Sequence, residues 1–202
     1  MAKLKGPLFS LGASGSIGEA IVYFGWKGLN VAREYVVPAN PKTTLQNNQR
    51  ARLTAAVALL RVAQIVDTYP FREEDAAAYA LWGSTYPTPR TWFNQWVKHY
   101  IDLVIDGKMG RVFRNVVTTP GTDELVLSGN YHALAMTAGN IKYGTSKTAL
   151  MSTKACSTVS VSSFNATLTG LTTGVKYYWQ FEGKTPGNAV GVKSGIYYGY
   201  PT

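Results

Sequence analysis

The chain has one cysteine, Cys156, and two histidines, His99 and His132, in 202 residues. A lone cysteine excludes an internal disulfide and a cysteine-based zinc site. Two histidines exclude a three-histidine metal centre. Cys156 reads as a small, half-buried hydrophobe. Acids are also scarce: 11 Asp+Glu stand against 20 Lys+Arg, for a formal net charge of +9. No apolar run reaches the 18 or so residues of a membrane span, so no membrane contact is expected. The start, MAKLKGPLFSLGASG, has lysines but no sustained apolar core. It is not expected to act as a secretory signal, and the chain is expected to fold in a cytoplasm. Hydrophobic content of 46% places the chain among folded proteins rather than disordered ones.

The positive excess is spread along the chain. Up to Val116 there are 14 Lys+Arg and 8 Asp+Glu, and beyond it 6 and 3. The nearest approach to a cluster is Lys108, Arg111 and Arg114. A diffuse positive surface suits DNA, an acidic membrane or an acidic protein, or serves solubility alone. DNA contact is left open at this level.

The densest information lies in Gly15 to Arg52. Two β-rich runs, Ile17 to Phe24 and Leu29 to Val37, are broken by Gly25-Trp26-Lys27-Gly28, a hairpin signal. Pro38-Ala39-Asn40-Pro41 stops the second run, since proline gives a sheet no donor. A helix is expected from Thr44 to Val66, roughly 35 Å long. Its first half is polar and its second half, AAVALLRVAQIV, is apolar nearly all round, which predicts deep packing at that end. A second helix is expected over Glu73 to Ser84. Glu73, Glu74 and Asp75 suit the positive end of its dipole, or serve as acid/base or metal-binding carboxylates. A third, over Pro89 to Ile105 with Thr88 as N-cap, has an apolar stripe of Trp92, Phe93, Trp96, Val97, Leu103 and Val104. His99 beside it reads as structural.

After Pro120 charge falls and Thr, Ser, Gly and Val dominate. Strand-like runs recur at Glu124 to Leu127, His132 to Thr137, Ile141 to Tyr143, Thr158 to Val161, Asn165 to Leu168, Lys176 to Glu182 and Gly195 to Tyr200. That pattern predicts a β-sandwich. Leu171 stands six residues before Tyr177 in FNATLTGLTTGVKYYWQFEG, the spacing of a tyrosine corner. This segment is similar to the E–F corner of fibronectin type III domains. It has Thr173 where that family usually has proline, and no tryptophan occupies an early strand. The expected fold is therefore α+β: an N-terminal β-hairpin arm plus a three-helix unit over 1–112, then an immunoglobulin/fibronectin III-like β-sandwich over 117–202.

The order hairpin, proline hinge and helix ends in PxNPKTxxQxxxR, carried by Pro38, Asn40, Pro41, Lys42, Thr43, Gln46 and Arg50. Over about residues 5 to 105 it resembles a family of small structural proteins of tailed bacteriophages and prophages. The resemblance implies a virion component (head decoration, neck or tail) assembled in the host cytoplasm, acting by protein–protein contact and without a cofactor. Its partners would be other virion proteins and its own copies. Trp26, Tyr35, Asn40, Lys42, Gln46 and Arg50 are the expected interface residues. Exposed tyrosines, with Tyr197, Tyr198 and Tyr200 as the best candidates, would alternatively serve a surface glycan.

A third reading is enzymatic. LGASGSIGEA, with Gly12, Gly15 and Gly18, resembles the cofactor turn of short-chain dehydrogenases/reductases. Tyr143 and Lys147 match that family's YxxxK pair. Against it, Lys5 to Ser10 is a poor buried parallel strand, IVYFGWKG is poor helix material, and the needed strand–helix alternation is missing. No nucleophile elbow or named DNA-binding signature is present.

Overall fold

The structure is a computed structural model that describes residues 3–4, 13–27, 29–37, 39–40, 42–132 and 136–202. It divides into two compact units, Met1–Thr43 and Thr44–Thr202. The boundary expected between 112 and 117 is not where the chain divides. The helices and the sandwich share one unit, for a reason that begins with Asp75.

The first unit is a four-stranded antiparallel meander of β1 (Lys3–Leu4), β2 (Ala13–Ile17), β3 (Ile21–Trp26) and β4 (Leu29–Glu34). Ile17 closes β2 rather than opening the next strand, and it pairs with Ile21 across a turn. The β3–β4 hairpin forms where expected, but with a tighter turn: Gly25 and Trp26, read as part of the break, extend β3, and Phe24 stands opposite Val31 and Trp26 opposite Leu29. Pro38 and Pro41 of the expected hinge lie outside the described residues.

The second unit opens with helices α1 (Thr44–Ile65), α2 (Glu73–Gly83) and α3 (Trp92–Ile105). None is long and apolar enough to cross a membrane. α3 starts later than expected. Thr91, not Thr88, is its N-cap, and its side chain accepts from the Asn94 N–H at 3.3 Å. α1 also departs from expectation: only Ala56, Leu60 and Ala63 are buried, and Leu53, Val62 and Ile65 stay exposed. Its apolar second half packs along one side only.

Eight strands then form the sandwich: β5 (Val112–Gly121), β6 (Glu124–His132), β7 (Ala138–Gly144), β8 (Ser152–Ala155), β9 (Thr158–Val159), β10 (Ser163–Thr169), β11 (Tyr177–Thr185) and β12 (Tyr197–Gly199). One sheet runs β5-β6-β10-β9 and the other β12-β11-β7-β8. In chain order these are the A-B-E-D and G-F-C-C′ arrangements of an immunoglobulin-like sandwich. Phe113, Phe164, Trp179 and Phe181 fill the space between the sheets, with the Phe164 and Phe181 rings 4.6 Å apart. The core tryptophan thus sits on β11, late in the chain. The tyrosine corner is formed: the Thr172 N–H donates to the Tyr177 hydroxyl at 3.1 Å. Thr173, in place of proline, donates its hydroxyl to Asp123 Oδ1 at 2.8 Å, tying the crossover to the β5–β6 turn.

α2 joins the two layers. Ala78 faces the sandwich core while its neighbour Tyr79 faces the helical core of Leu60, Phe71 and Trp96. Asp75, fully buried, accepts four hydrogen bonds. The Arg72 N–H at 3.1 Å is the N-cap donor of its own helix, so Asp75 at N3 supplies the returning half of a capping box whose other half an arginine side chain cannot make. The Asn115 and Val116 N–H groups, at 2.8 and 3.2 Å, come from a bulge in β5, where Asn115 takes φ 47°. A bulge leaves donors without a ladder partner, and this carboxylate satisfies them. The Tyr197 hydroxyl of β12 donates at 3.0 Å. Burial holds the Asp75 carboxyl above its ordinary 3.8 although all four donors pull it down. Close by, Ile196 N–H donates to the Ala78 carbonyl, and Gly195 lies so near α2 that a Cβ there would meet Ala78 Cβ at 2.6 Å. Asp75→Ala would orphan these donors and is expected to lower the unfolding free energy by about 3–5 kcal/mol in urea titration. A loss below about 1 kcal/mol would show the contacts to be incidental.

Candidate assembly interface

In an antiparallel sheet, residues opposite one another share a face. In the arm sheet Ile17, Ile21, Tyr23 and Ala32 therefore share one face, and Val22, Phe24, Trp26 and Val31 the other. Both faces are apolar and neither is buried. Ile17, Ile21 and Trp26 are exposed, as are Val36 and Val37 beyond β4. Among the described residues, neither apolar core takes a side chain from this sheet. The Arg33 guanidinium lies 5.1 Å from the Phe24 ring and Lys27 Nζ 5.9 Å from the Trp26 ring.

The six expected interface residues fall on both sides of the boundary between the units. Trp26, 59% exposed, ends β3 at the hairpin tip. Tyr35 is half-buried, and its N–H donates to the Ala20 carbonyl at 2.8 Å. Asn40 and Lys42 are exposed in the connection, Lys42 with a left-handed φ of 48°. Gln46 and Arg50 are exposed one turn apart on α1 and share a face of it.

An apolar cleft of about 640 Å³ lies between α2 and the sandwich. Ala77, Ala80 and Leu81 line one wall, Ile196 and Tyr198 the other, and Glu74 is its charged lining residue. Sequence reasoning missed it, because it exists only once Asp75 has set α2 against β5 and β12. The edge strand β12 splits the expected tyrosines. Tyr197 is buried and stacks on Trp179 at 5.0 Å, whereas Tyr198 and Tyr200 are exposed. Lys176 Nζ stands 3.8 Å from the Tyr198 ring centre and 5.1 Å from that of Tyr178.

The charges expected to cluster do not form a basic surface patch. Arg111 and Arg114 are buried, and Arg114 Nη1 donates to the carbonyls of Thr68 and Tyr69 at 3.1 and 3.0 Å. These carbonyls follow α1, so the guanidinium closes the chain's exit from that helix. Of the three acids in α2, Asp75 is the internal staple. Among the described residues no group of three or more His, Cys, Asp or Glu is placed to hold a metal ion.

The glycine turn of the alternative enzymatic reading takes another form. Ala13–Ile17 is a strand that returns antiparallel into β3, so no helix N-terminus follows Gly15 or Gly18; Gly12 lies outside the described residues. Tyr143 packs against the sandwich core, and Lys147 Nζ donates to the Ser84 hydroxyl at 3.0 Å. Cys156 is half-buried, and burial pushes its thiol up to about 12. The chain matches no protein-family model and no curated protein.

His99 is structural in position. Its Nε2 accepts from the Lys193 N–H at 3.0 Å, and its ring meets Trp82 edge-on at 4.9 Å. Burial, reinforced by the Lys193 charge, lowers its pKa from 6.5 to about 4. The unfolded chain therefore takes up this proton near pH 6.5 and the folded chain only near 4. The stability that neutral His99 contributes is full above pH 6.5 and is lost as pH falls toward 4, by about 3 kcal/mol. Comparing the wild type with His99→Gln by urea unfolding at several pH values isolates this term from Asp75 and Glu182. The difference between the two proteins should change across that window and stay flat above it.

Proposed function

We propose that the chain is a structural component of a tailed-phage virion that works by protein–protein assembly, as a head-decoration, neck or tail protein. The observation that carries this reading is the arm sheet, with apolar side chains on both faces and, among the described residues, none in either core. A small sheet needs a packed face to persist, and burying these side chains against a partner contributes about 25 cal/mol per Å² of apolar surface. The PxNPKTxxQxxxR sequence supports the same class of protein. The partners are other virion proteins and further copies of the chain, and the working location is the particle, reached after folding in the host cytoplasm. The second unit holds both cores, so the arm is dispensable for its folding. Deleting residues 2–37 should abolish incorporation into particles while the rest still unfolds cooperatively. Full incorporation of the truncated chain would contradict an assembly role for the arm.

One observation favours a second reading, a carbohydrate-binding face. Half-buried Tyr178 and exposed Tyr198 and Tyr200 form a row, with successive ring centres 6.3 Å apart and Lys176 over them. Such rings stack on sugar faces while their hydroxyls stay wet. On this reading the full chain retains host-surface polysaccharide in affinity electrophoresis, and Tyr198→Ala abolishes the retention. Equal migration with and without polysaccharide removes it.

A further inference from the structure

Two features of the molecule are unmatched. One is the tip of the β3–β4 hairpin, where Trp26 is 59% exposed and Lys27 turns the backbone with φ 50°. The other is the apolar cleft between α2 and β12, whose charged lining residue is Glu74. We propose that the hairpin tip of one copy inserts into this cleft of a second copy, with the Trp26 indole as anchor and Lys27 paired with Glu74. The proposal rests on the assembly reading and names the partner.

Size, polarity and charge all favour this occupant. A cleft of about 640 Å³ admits an indole with neighbouring apolar side chains. Its walls of Ala77, Ala80 and Leu81 are small and apolar, a surface a flat ring covers well. Tryptophan seated in such a pocket is the commonest kind of energetic anchor in protein interfaces. The hairpin is polarised: Lys27 is at the tip, whereas Glu19 and Glu34 stand at the opposite end, beside Ile21. Glu74 is the acid offered to Lys27, at the α2 N-terminal end of the cleft, whereas Lys147 and Lys176 stand against Ser84 and Tyr198 of the same lining, so the charge complementarity is confined to the Glu74 end. β12 is the edge strand beside the cleft, and the Ile196 N–H that precedes it is already bonded to the Ala78 carbonyl of α2, so the contact rests on side chains rather than on strand addition. Tip and cleft are different surfaces, so each copy has one of each to offer. Such a contact is heterologous, and it either closes into a ring or propagates as a helical array.

The test uses the full chain. Unlabelled and ¹⁵N-labelled protein are mixed dilute, concentrated together and coupled with a zero-length carbodiimide, and the Lys27–Glu74 linked peptide is sought by mass spectrometry. The expected product contains mixed-label pairs in about half of the linked peptides. Sedimentation should show self-association weakened at least tenfold by Trp26→Ala and by Glu74→Lys. The double variant Lys27→Glu with Glu74→Lys should recover it, and urea unfolding confirms that each variant is folded. A chain that is monomeric at every concentration overturns the proposal. So do linked peptides of unmixed label only, or self-association indifferent to both single substitutions. A chain present in particles but lacking this link loses the contact and keeps the assembly reading. Absence from particles removes that reading instead, and leaves the link to be judged on the purified chain.

Discussion

The buried carboxylate of Asp75 is the constraint on which the second unit depends. It caps α2, satisfies the two N–H groups that the β5 bulge leaves unpaired, and holds the hydroxyl of Tyr197 on β12. No cation stands among its four hydrogen-bond donors, so its burial is tolerated only because each of them is aimed at it. The contact explains why the helices are not a separate domain. It fixes α2 against one strand from each sheet of the sandwich, and the close approach of Gly195 to Ala78 follows from the same docking. The cleft beside it is a by-product: a helix pinned at its first turn and at Ala78 leaves room between its outer flank and β12.

The first unit obeys the opposite logic. Everything that makes residues 44–202 self-sufficient is absent from the arm, which has strands and register but no core among its described residues. A protein built only to fold would not retain exposed Ile17, Ile21 and Trp26 on a small sheet, since open apolar sheets invite pairing with other chains. A protein built to assemble needs such a surface. The division at Thr43 and Thr44 separates a part that completes itself from a part that, on the assembly reading, a partner would complete.

Local patterns were legible in the sequence. Helix α2, the β3–β4 hairpin and the tyrosine corner depend on residues within a few positions of one another, so spacing alone revealed them. What was illegible depends on distance. Asp75 looked like one of three acids suited to a helix dipole, and only contacts about 40 residues away distinguish it from Glu73 and Glu74. Arg111 and Arg114 looked like surface charge for the same reason, although both turn inward. β8, with all four residues exposed, has no buried face and hence no alternation to read. The apolar second half of α1 promised a deeply buried helix, yet one side of it is covered. Among the expected interface residues, Trp26 was legible from its place in the hairpin signal. The cleft was not, since its walls come from residues far apart in the chain.

The most direct test of the account is quantitative mass spectrometry of purified particles from the phage or induced prophage that, on the proposed reading, would encode the chain. The account predicts that the chain is present at a fixed copy number. Hundreds of copies would mark a shell or tube component, and a dozen or fewer a neck, baseplate or fibre component. Its complete absence from intact particles would contradict the structural reading and return the aromatic face of the sandwich to first place.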